Sequence, residues 1–453
     1  MARSSNPRLM RIASSLLTPV EASIFSEVAG IAPLWITGGW VRDKLLDFTD
    51  VNRRAGATWQ RLRALSEGSI SGSSKGDLDV LVEGVTAQDF YERCKANGAF
   101  SRTLSRPAVL VRAKGARPMD VVKLRIRGYE LDVTSLIDAR RKLRLGDQLP
   151  PGLEQGIMRL DAEHRDVSFN ALYYSPHTAE VSDPCLKGLD DLRAGLVRMP
   201  HAEGAAASVA EDPLRLLRCF RFAARFDFAL EAGLGGELLG RRAAELHGLL
   251  DGVSRGRLLD ELKKCLLIHN CPQRFLRNLS GPGAAHSYFF KAGGANLLDG
   301  WGAAVDRVAV LEQLMADGVS QRTLTLSSAF WRGRKDPEQK PLLLRPSTHA
   351  VTNLLENDWA EVLLATLLWS CDRQAVKSVL SDLGIGSAMG GNVAKLLDQA
   401  RGPDQGSKTP LGVKLLRAAA GAEEPSFALL SDAVCDGSVG SGGHITDGSH
   451  DFV

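Results

Sequence analysis

The sequence has no close Cys-x-x-Cys pair, no apolar run approaching a membrane span and no reliable internal repeat. Its seven cysteines, Cys94, Cys185, Cys219, Cys265, Cys271, Cys371 and Cys435, are odd in number and scattered. That argues against a disulfide framework or a zinc knuckle and for a reducing compartment, cytoplasmic with mitochondrion or nucleus as further options. A bilayer span needs about 20 apolar residues, so no membrane partner is expected. No acid precedes Glu21, while Arg3, Arg8 and Arg11 stand among serines. A transit peptide has that composition, and so does an ordinary frayed basic terminus, the preferred reading for so short a segment. Neither charge sign dominates: the net charge is +3. That permits a nucleic-acid partner without demanding one.

What is present is 453 residues, 24% charged and 44% hydrophobic, an ordinary balance for a soluble globular protein. The length exceeds one small core and predicts about two to four domains. The chain is organised around Lys75-Gly76-Asp77-Leu78-Asp79-Val80-Leu81-Val82. On a strand, residues two apart share a side, so Asp77 and Asp79 project together while Leu78 and Val80 face a core. Such a pair can hold divalent cations through hard oxygen ligands, and Mg²⁺ keeps room for substrate phosphates. This points to two-metal phosphoryl chemistry. Taken alone, the pattern also fits a strand end bearing two solvated acids.

Thr18-Pro19-Val20-Glu21 predicts a helix start with Thr18 as N-cap, and an end near Gly30. An apolar strand from Pro33 then runs into the turn Gly38-Gly39, followed by a helix carrying Arg42 and Asp43. Glycines there let backbone N–H groups approach a phosphate, and the helix N-terminus favours an anion; a plain tight turn is the alternative. Residues 44–76 read as a basic, Ser/Gly-rich surface insertion. The segment 100–118 reads as a basic loop. Residues 120–135 read as two strands joined at Gly128, with Glu130 and Asp132 on one face and Asp132 the chosen third carboxylate. Residues 139–160 read as loop. Asp161–Ser175 reads as a helix placing Asp166 and Asn170 on one face. In Glu211-Asp212-Pro213-Leu214-Arg215-Leu216-Leu217-Arg218-Cys219-Phe220-Arg221, acids precede Pro213 as at a helix N-terminus. One face of that helix carries Asp212, Arg215 and Arg218, either as a site or as an ion pair in solvent. Helices are expected almost throughout beyond residue 230, and residues 437–453 read as a disordered tail.

Taken in order, Gly38-Gly39-Trp40-Val41-Arg42-Asp43, Asp77-Leu78-Asp79, Arg165-Asp166-Val167-Ser168-Phe169-Asn170, Gly188-Leu189-Asp190-Asp191-Leu192 and Glu211-Asp212-Pro213-Leu214-Arg215-Leu216-Leu217-Arg218 resemble one family. It is the eukaryotic-bacterial class of tRNA nucleotidyltransferases, the CCA-adding enzymes, with the related bacterial poly(A) polymerases. The resemblance implies an α+β fold: a polymerase-beta-type nucleotidyltransferase head, a small mixed sheet with helices, followed by an all-α neck, body and tail. It places an N-terminal segment at 1–30, the head at 31–175 and a neck with a nucleotide-selecting helix at 176–275. A tRNA-binding body and tail would cover 276–436.

The implied reaction adds C, C and A to the tRNA 3′ end from CTP and ATP. Asp77 and Asp79 would hold two Mg²⁺ ions, with Asp132 as third catalytic carboxylate. Gly38, Gly39, Arg42 and Asp43 would form the nucleotide turn, with Gly39 and Arg42 on the triphosphate. Arg165, Asp166 and Asn170 would position nucleotide and ribose. Asp212 and Arg215 would act as the template, with Glu211, Arg218 and Arg221 around them. Cytosine and adenine both show an amino donor beside a ring-nitrogen acceptor, which a carboxylate and a guanidinium match. Uracil and guanine reverse that order, and a site built for polar pairing rejects such a mismatch by ~10⁴ or more.

The resemblance leaves open a poly(A) polymerase, a partial enzyme adding only CC or only A, and, in another class, an inactive tRNA-binding relative. The chain also departs from the family. His164 stands for the first arginine of an Arg-Arg-Asp triplet, which implies weaker or pH-dependent nucleotide affinity. Ile137 replaces an arginine, and Val209 a phenylalanine. The stretch between Asp43 and Asp77 is longer than the family's, an added RNA-binding loop or a gene-model fault.

Overall fold

In a computed structural model of the chain, the described residues are 8–11, 16–48, 77–113, 119–138, 154–234, 248–268, 272–280, 285–320, 361–403 and 411–421. Most of the 44–76 insertion and the 437–453 tail lie outside them. The chain divides into two compact units, Met1–Leu262 (with Gly281–Gly283) and the remainder from Lys263.

Unit 1 is built on an eight-stranded mixed sheet, in the order β1-β8-β7-β2-β3-β6-β5-β4. Its strands are β1 (Arg8–Arg11), β2 (Leu34–Thr37), β3 (Asp77–Val82), β4 (Leu104–Val111), β5 (Val121–Ile126), β6 (Tyr129–Ser135), β7 (Tyr173–Ser175) and β8 (Glu180–Asp183). Among the described pairings of this sheet, β3 and β6 are parallel and the others antiparallel. Leu78 and Val80 are buried, as alternation predicts, and Leu81 on the opposite side is buried too. Leu81 packs with Ile157, Met158 and Ala162 of a helix over Glu154–Glu163, so the sheet is covered on both faces there.

Local rules account for the entry to the site. Helix α1 (Pro19–Ala29) starts with a full capping box: Thr18 N donates to Glu21 Oε2 at 2.7 Å and Glu21 N to Thr18 Oγ1 at 3.3 Å. Buried Glu21 also accepts from Trp40 Nε1 and Lys44 Nζ, which ties α1 to α2 (Gly39–Phe48). Burial raises the Glu21 carboxyl, and these donors more than offset it, leaving it below its usual range. Strands β5 and β6 join through Arg127 and Gly128, both at positive φ, the two-residue turn whose twist suits a hairpin.

Four expectations needed correction. The N-terminal segment, read as a frayed basic terminus, contributes strand β1, which pairs antiparallel with β8. The 100–118 stretch contains β4, with register shifts around Arg106. The 139–160 stretch contains the start of the helix at Glu154. The helix expected over 161–175 stops at Glu163, and a 3₁₀ turn at Ser168–Asn170 and strand β7 follow. The chain after Glu163 must feed a central strand pair, β2 with β7, so tertiary pairing overrides helical propensity there.

The rest of unit 1 holds α3 (Ala87–Ala96), α4 (Gly98–Ser101), α5 (Glu154–Glu163), α6 (Gly188–Ala194), α7 (Ala205–Glu211), α8 (Leu214–Phe226) and α9 (Arg255–Lys263), with β9 (Leu196–Val197) and β10 (Ala229–Leu230). Helix α8 is buried on most of its circumference, unlike an ordinary surface helix. The described part of unit 2 is helical: α10 (Pro272–Leu279), α11 (Ala285–Phe289), α12 (Gly294–Asp299), α13 (Trp301–Ser320), α14 (Arg373–Asp382), α15 (Ser387–Arg401) and α16 (Leu411–Ala419), besides a π turn and residues 361–367. Phe275, Phe290, Trp301 and Val308 belong to its core. No helix among the described residues is long and apolar enough to cross a membrane.

Candidate active site

The first cluster lies where β2 meets α2. Asp79 is in register with Thr37 on one side and with Asp132 on the other, and Asp77 with Glu130. Gly38 follows Thr37 at φ +74°, a conformation that glycine adopts without steric cost. A Cβ there would sit 2.5 Å from Asp79 Oδ2. The turn thus brings backbone against a carboxylate that is itself exposed. Asp132 is bonded by Lys123 Nζ at 2.7 and 2.8 Å, and Glu130 faces Arg106 at 3.4 Å. The side chain of Asp77 is outside the described set. Asp79 and Asp132 offer oxygen donors of the kind Mg²⁺ selects, and the lysine neutralises Asp132.

A second cluster runs as a chain of bonds from α2 to α8. Arg42 is 4% exposed and lies over the Phe226 ring, 4.7 Å from its centroid. Its Nη1 donates to Asn170 Oδ1 at 2.8 Å and its Nε to Asp43 Oδ1 at 2.7 Å. Asn170 Nδ2 donates to Asp166 Oδ1 at 3.1 Å, and Arg218 Nη2 meets Asp166 Oδ2 at 2.6 Å. Burial raises the Asp166 carboxyl, but the Arg218 charge, Asn170 and Arg221 more than offset it and hold it below its usual range. Asp166 and Asn170 meet as expected, through a tight turn instead of a helix face. Arg165 donates to Asp161 and to Asn170 O. Burial works against its charge, and the carboxylates of Asp161 and Asp79 more than offset it.

The third cluster surrounds the start of α8. Arg215 is 7% exposed, so the solvated-face alternative does not hold. Its Nη1 donates to Glu211 Oε2 at 2.6 Å and to Ser208, and its Nη2 to His164 O at 2.6 Å. Glu211 also meets His164 Nδ1 at 2.9 and 3.0 Å. Burial raises the Glu211 carboxyl, and His164 and Arg215 more than offset it, for a net lowering. Asp212 accepts from Leu214 N at 3.2 Å, just ahead of α8, and takes Arg257 Nη2 at 2.8 Å. Arg221 turns to Glu261 at 2.8 Å, a pair with both side chains buried.

The sequence-predicted residues therefore meet in three groups: Gly38, Asp79 and Asp132; Arg42, Asp43, Asn170, Asp166 and Arg218; and Glu211 with Arg215. Asp212 and Arg215 are joined by a backbone bond, but their side chains go to different partners. Arg257, Glu261, Lys123 and Ser208 escaped the sequence reading. Arg257 and Glu261 stand far from their partners along the chain, and no spacing rule links them. The contact of His164 with Glu211 spans 47 residues and likewise has no spacing rule to announce it.

A family model described as the Poly A polymerase head domain matches residues 34–198. The mitochondrial CCA tRNA nucleotidyltransferase of Candida glabrata is 28% identical over 246 residues, 52% of this chain and 39% of that protein. Poly(A) polymerase I of Haemophilus influenzae is 36% identical over 111 residues, 24% of this chain and 23% of that one. The chain spans less than half the length of these curated relatives. In fold it is similar to a solved structure described as a CCA-adding enzyme with ATP, with a TM-score of 0.55, 18% identity, and coverage of 95% of this chain and 85% of that one.

Proposed function

Because its head places this chain in the tRNA nucleotidyltransferase and poly(A) polymerase family, we propose that it completes the CCA 3′ end of tRNA from CTP and ATP without a nucleic-acid template. The observation that carries the reading is Asp79, in register with Asp132 and set against the Gly38 turn at the head of α2. That arrangement sets carboxylates beside backbone N–H groups suited to a triphosphate. Asp77, Asp79 and Asp132 would hold two Mg²⁺ ions, which supply activation of the attacking hydroxyl and neutralisation of the leaving group.

The residues of the chain do the rest. The Arg42–Asn170–Asp166–Arg218 bonds hold α2, the 3₁₀ turn and α8 in one arrangement, a preorganised floor for the nucleotide. Asp212 accepts from the base amino group and Arg215 donates to its ring nitrogen. An incoming cytosine or adenine takes over the bond between Asp212 and Arg257 and one bond of Arg215. The partner is the upper half of tRNA, read by shape and phosphates.

The test is incorporation by purified protein with Mg²⁺ on transcripts ending before CCA, after C and after CC, resolved to one nucleotide. Products stopping at CCA from every start are expected, and Asp77→Ala should abolish them with the fold intact. Long A tails would replace the reading with poly(A) synthesis, and extension from only some starts with a partial enzyme. Binding of tRNA without any incorporation would mean an inactive relative.

A further inference from the structure

His201 has no part in the chemistry above, yet three segments of the chain converge on it. Its ring stands edge-on to His164, with centroids 5.8 Å apart and planes at 89°. One nitrogen from each imidazole and one carboxylate oxygen of Glu211 lie within 4.8 Å of one another. No other group of three or more such side chains gathers this closely among the described residues. Both histidines are partly buried and Glu211 opens to solvent, so the cluster has an access route.

We propose that His164, His201 and Glu211 bind a transition-metal cation of the Zn²⁺ class, at a site separate from the Asp79 and Asp132 carboxylates. Two imidazoles make the difference, because Mg²⁺ takes oxygen ligands while imidazole suits Zn²⁺, Cu²⁺ and Ni²⁺. Two histidines and a glutamate, with a fourth position open to water, form a recurrent Zn²⁺ ligand set. Zn–N and Zn–O bonds of about 2.0–2.2 Å set ligand atoms roughly 3.4 Å apart, within the spacing the three groups share. His164 Nδ1 and Glu211 Oε1 are already 2.9 Å apart, so the adjustment falls on His201, whose Nδ1 accepts an exposed hydrogen bond from Glu203 N at 3.2 Å.

The site is wired to nucleotide selection through Glu211. That carboxylate is shared between His164 and Arg215, so ligation draws it from the guanidinium and frees an N–H for the base. This second step rests on the role proposed for Arg215, whereas the metal site does not.

The experiment uses the full chain stripped with a chelator and titrated with Zn²⁺ against a chromophoric competitor. It compares wild type with His201→Gln and Asp79→Asn, and adds Co²⁺ absorption spectra. One tight equivalent is expected in wild type and Asp79→Asn, weakened roughly 10–100-fold or more in His201→Gln, with a Co²⁺ spectrum of low coordination number that the same variant loses. Unchanged circular dichroism of His201→Gln shows that its fold is intact. Absence of a tight equivalent in wild type, or its survival in His201→Gln, overturns the site. Zn²⁺ bound as expected, with CTP and ATP affinities unmoved, refutes the release of Arg215 and leaves the metal site standing.

Discussion

Gly38→Ala separates the folding role of the β2–α2 turn from its chemical role. Two costs arise. The left-handed backbone at φ +74° costs a non-glycine residue about 1–2 kcal/mol. The new Cβ would also stand 2.5 Å from Asp79 Oδ2, about 1 Å inside ordinary contact. The obstructing atom is the end of a side chain, so rotation of Asp79 relieves the clash cheaply for folding and expensively for chemistry. For a unit of this size, the stability loss corresponds to a drop in Tm of about 2–8 °C. Displacing a reacting group by about 1 Å costs roughly 10²-fold in rate, or about 2.7 kcal/mol of barrier. The assay is single-turnover incorporation of CTP on a transcript lacking CCA, run beside a thermal melt. A folded Ala variant with less than about a threefold loss in rate would refute the assignment of the Asp79 carboxylate to the reaction.

Two further outcomes follow from buried charge. Glu261→Ala leaves the Arg221 guanidinium, 6% exposed, without its carboxylate and should cost about 3–5 kcal/mol of unfolding free energy by urea titration, whereas Arg221→Met with Glu261→Leu should recover most of it; a single-variant loss under about 1 kcal/mol would show that water reaches the pair. In unit 2, burial pushes the Glu312 carboxyl up to about 7, against the Gln273 N–H bond and Arg274 that lower it. Its folded pKa exceeds its unfolded one, so the unfolded chain releases the proton first and stability falls as pH rises from about 4.5 to 7. Glu312→Gln should remove that fall, a gain of about 3 kcal/mol above pH 7, and a wild-type slope persisting in the variant would place the titration elsewhere.

Local rules were legible in the sequence wherever the chain satisfies them within a few residues. The Thr18 capping box, the strand into Gly38-Gly39 and the hairpin at Gly128 each depend on neighbours. The stretch from Asp161 to Ser175 was misread because its helical spacing lost to pairing with β2, which no local window contains. Strand β4 does not show in the pattern because an edge strand buries little and keeps Ser105, Arg106 and Pro107 exposed in a row, so it alternates weakly. The residue types of the site were readable from motifs, but their bonds were not. Asp212 takes Arg257 and Arg221 takes Glu261 because α9 packs in unit 1 beside the start and middle of α8.

The two ends of the eight-stranded sheet bear on how the protein behaves in a crowded solution. An unpaired strand edge offers N–H and C=O groups to any passing strand, including that of a second copy. One end here is β1, four residues with an arginine at each terminus. The other is β4, which carries Pro107 and shifts register on both sides of Arg106. Proline removes a donor from the edge, irregular pairing bends it, and like charges repel a twin. The same arginines and irregularities that hid these strands from their sequence pattern keep the sheet from growing by addition of another molecule's strand.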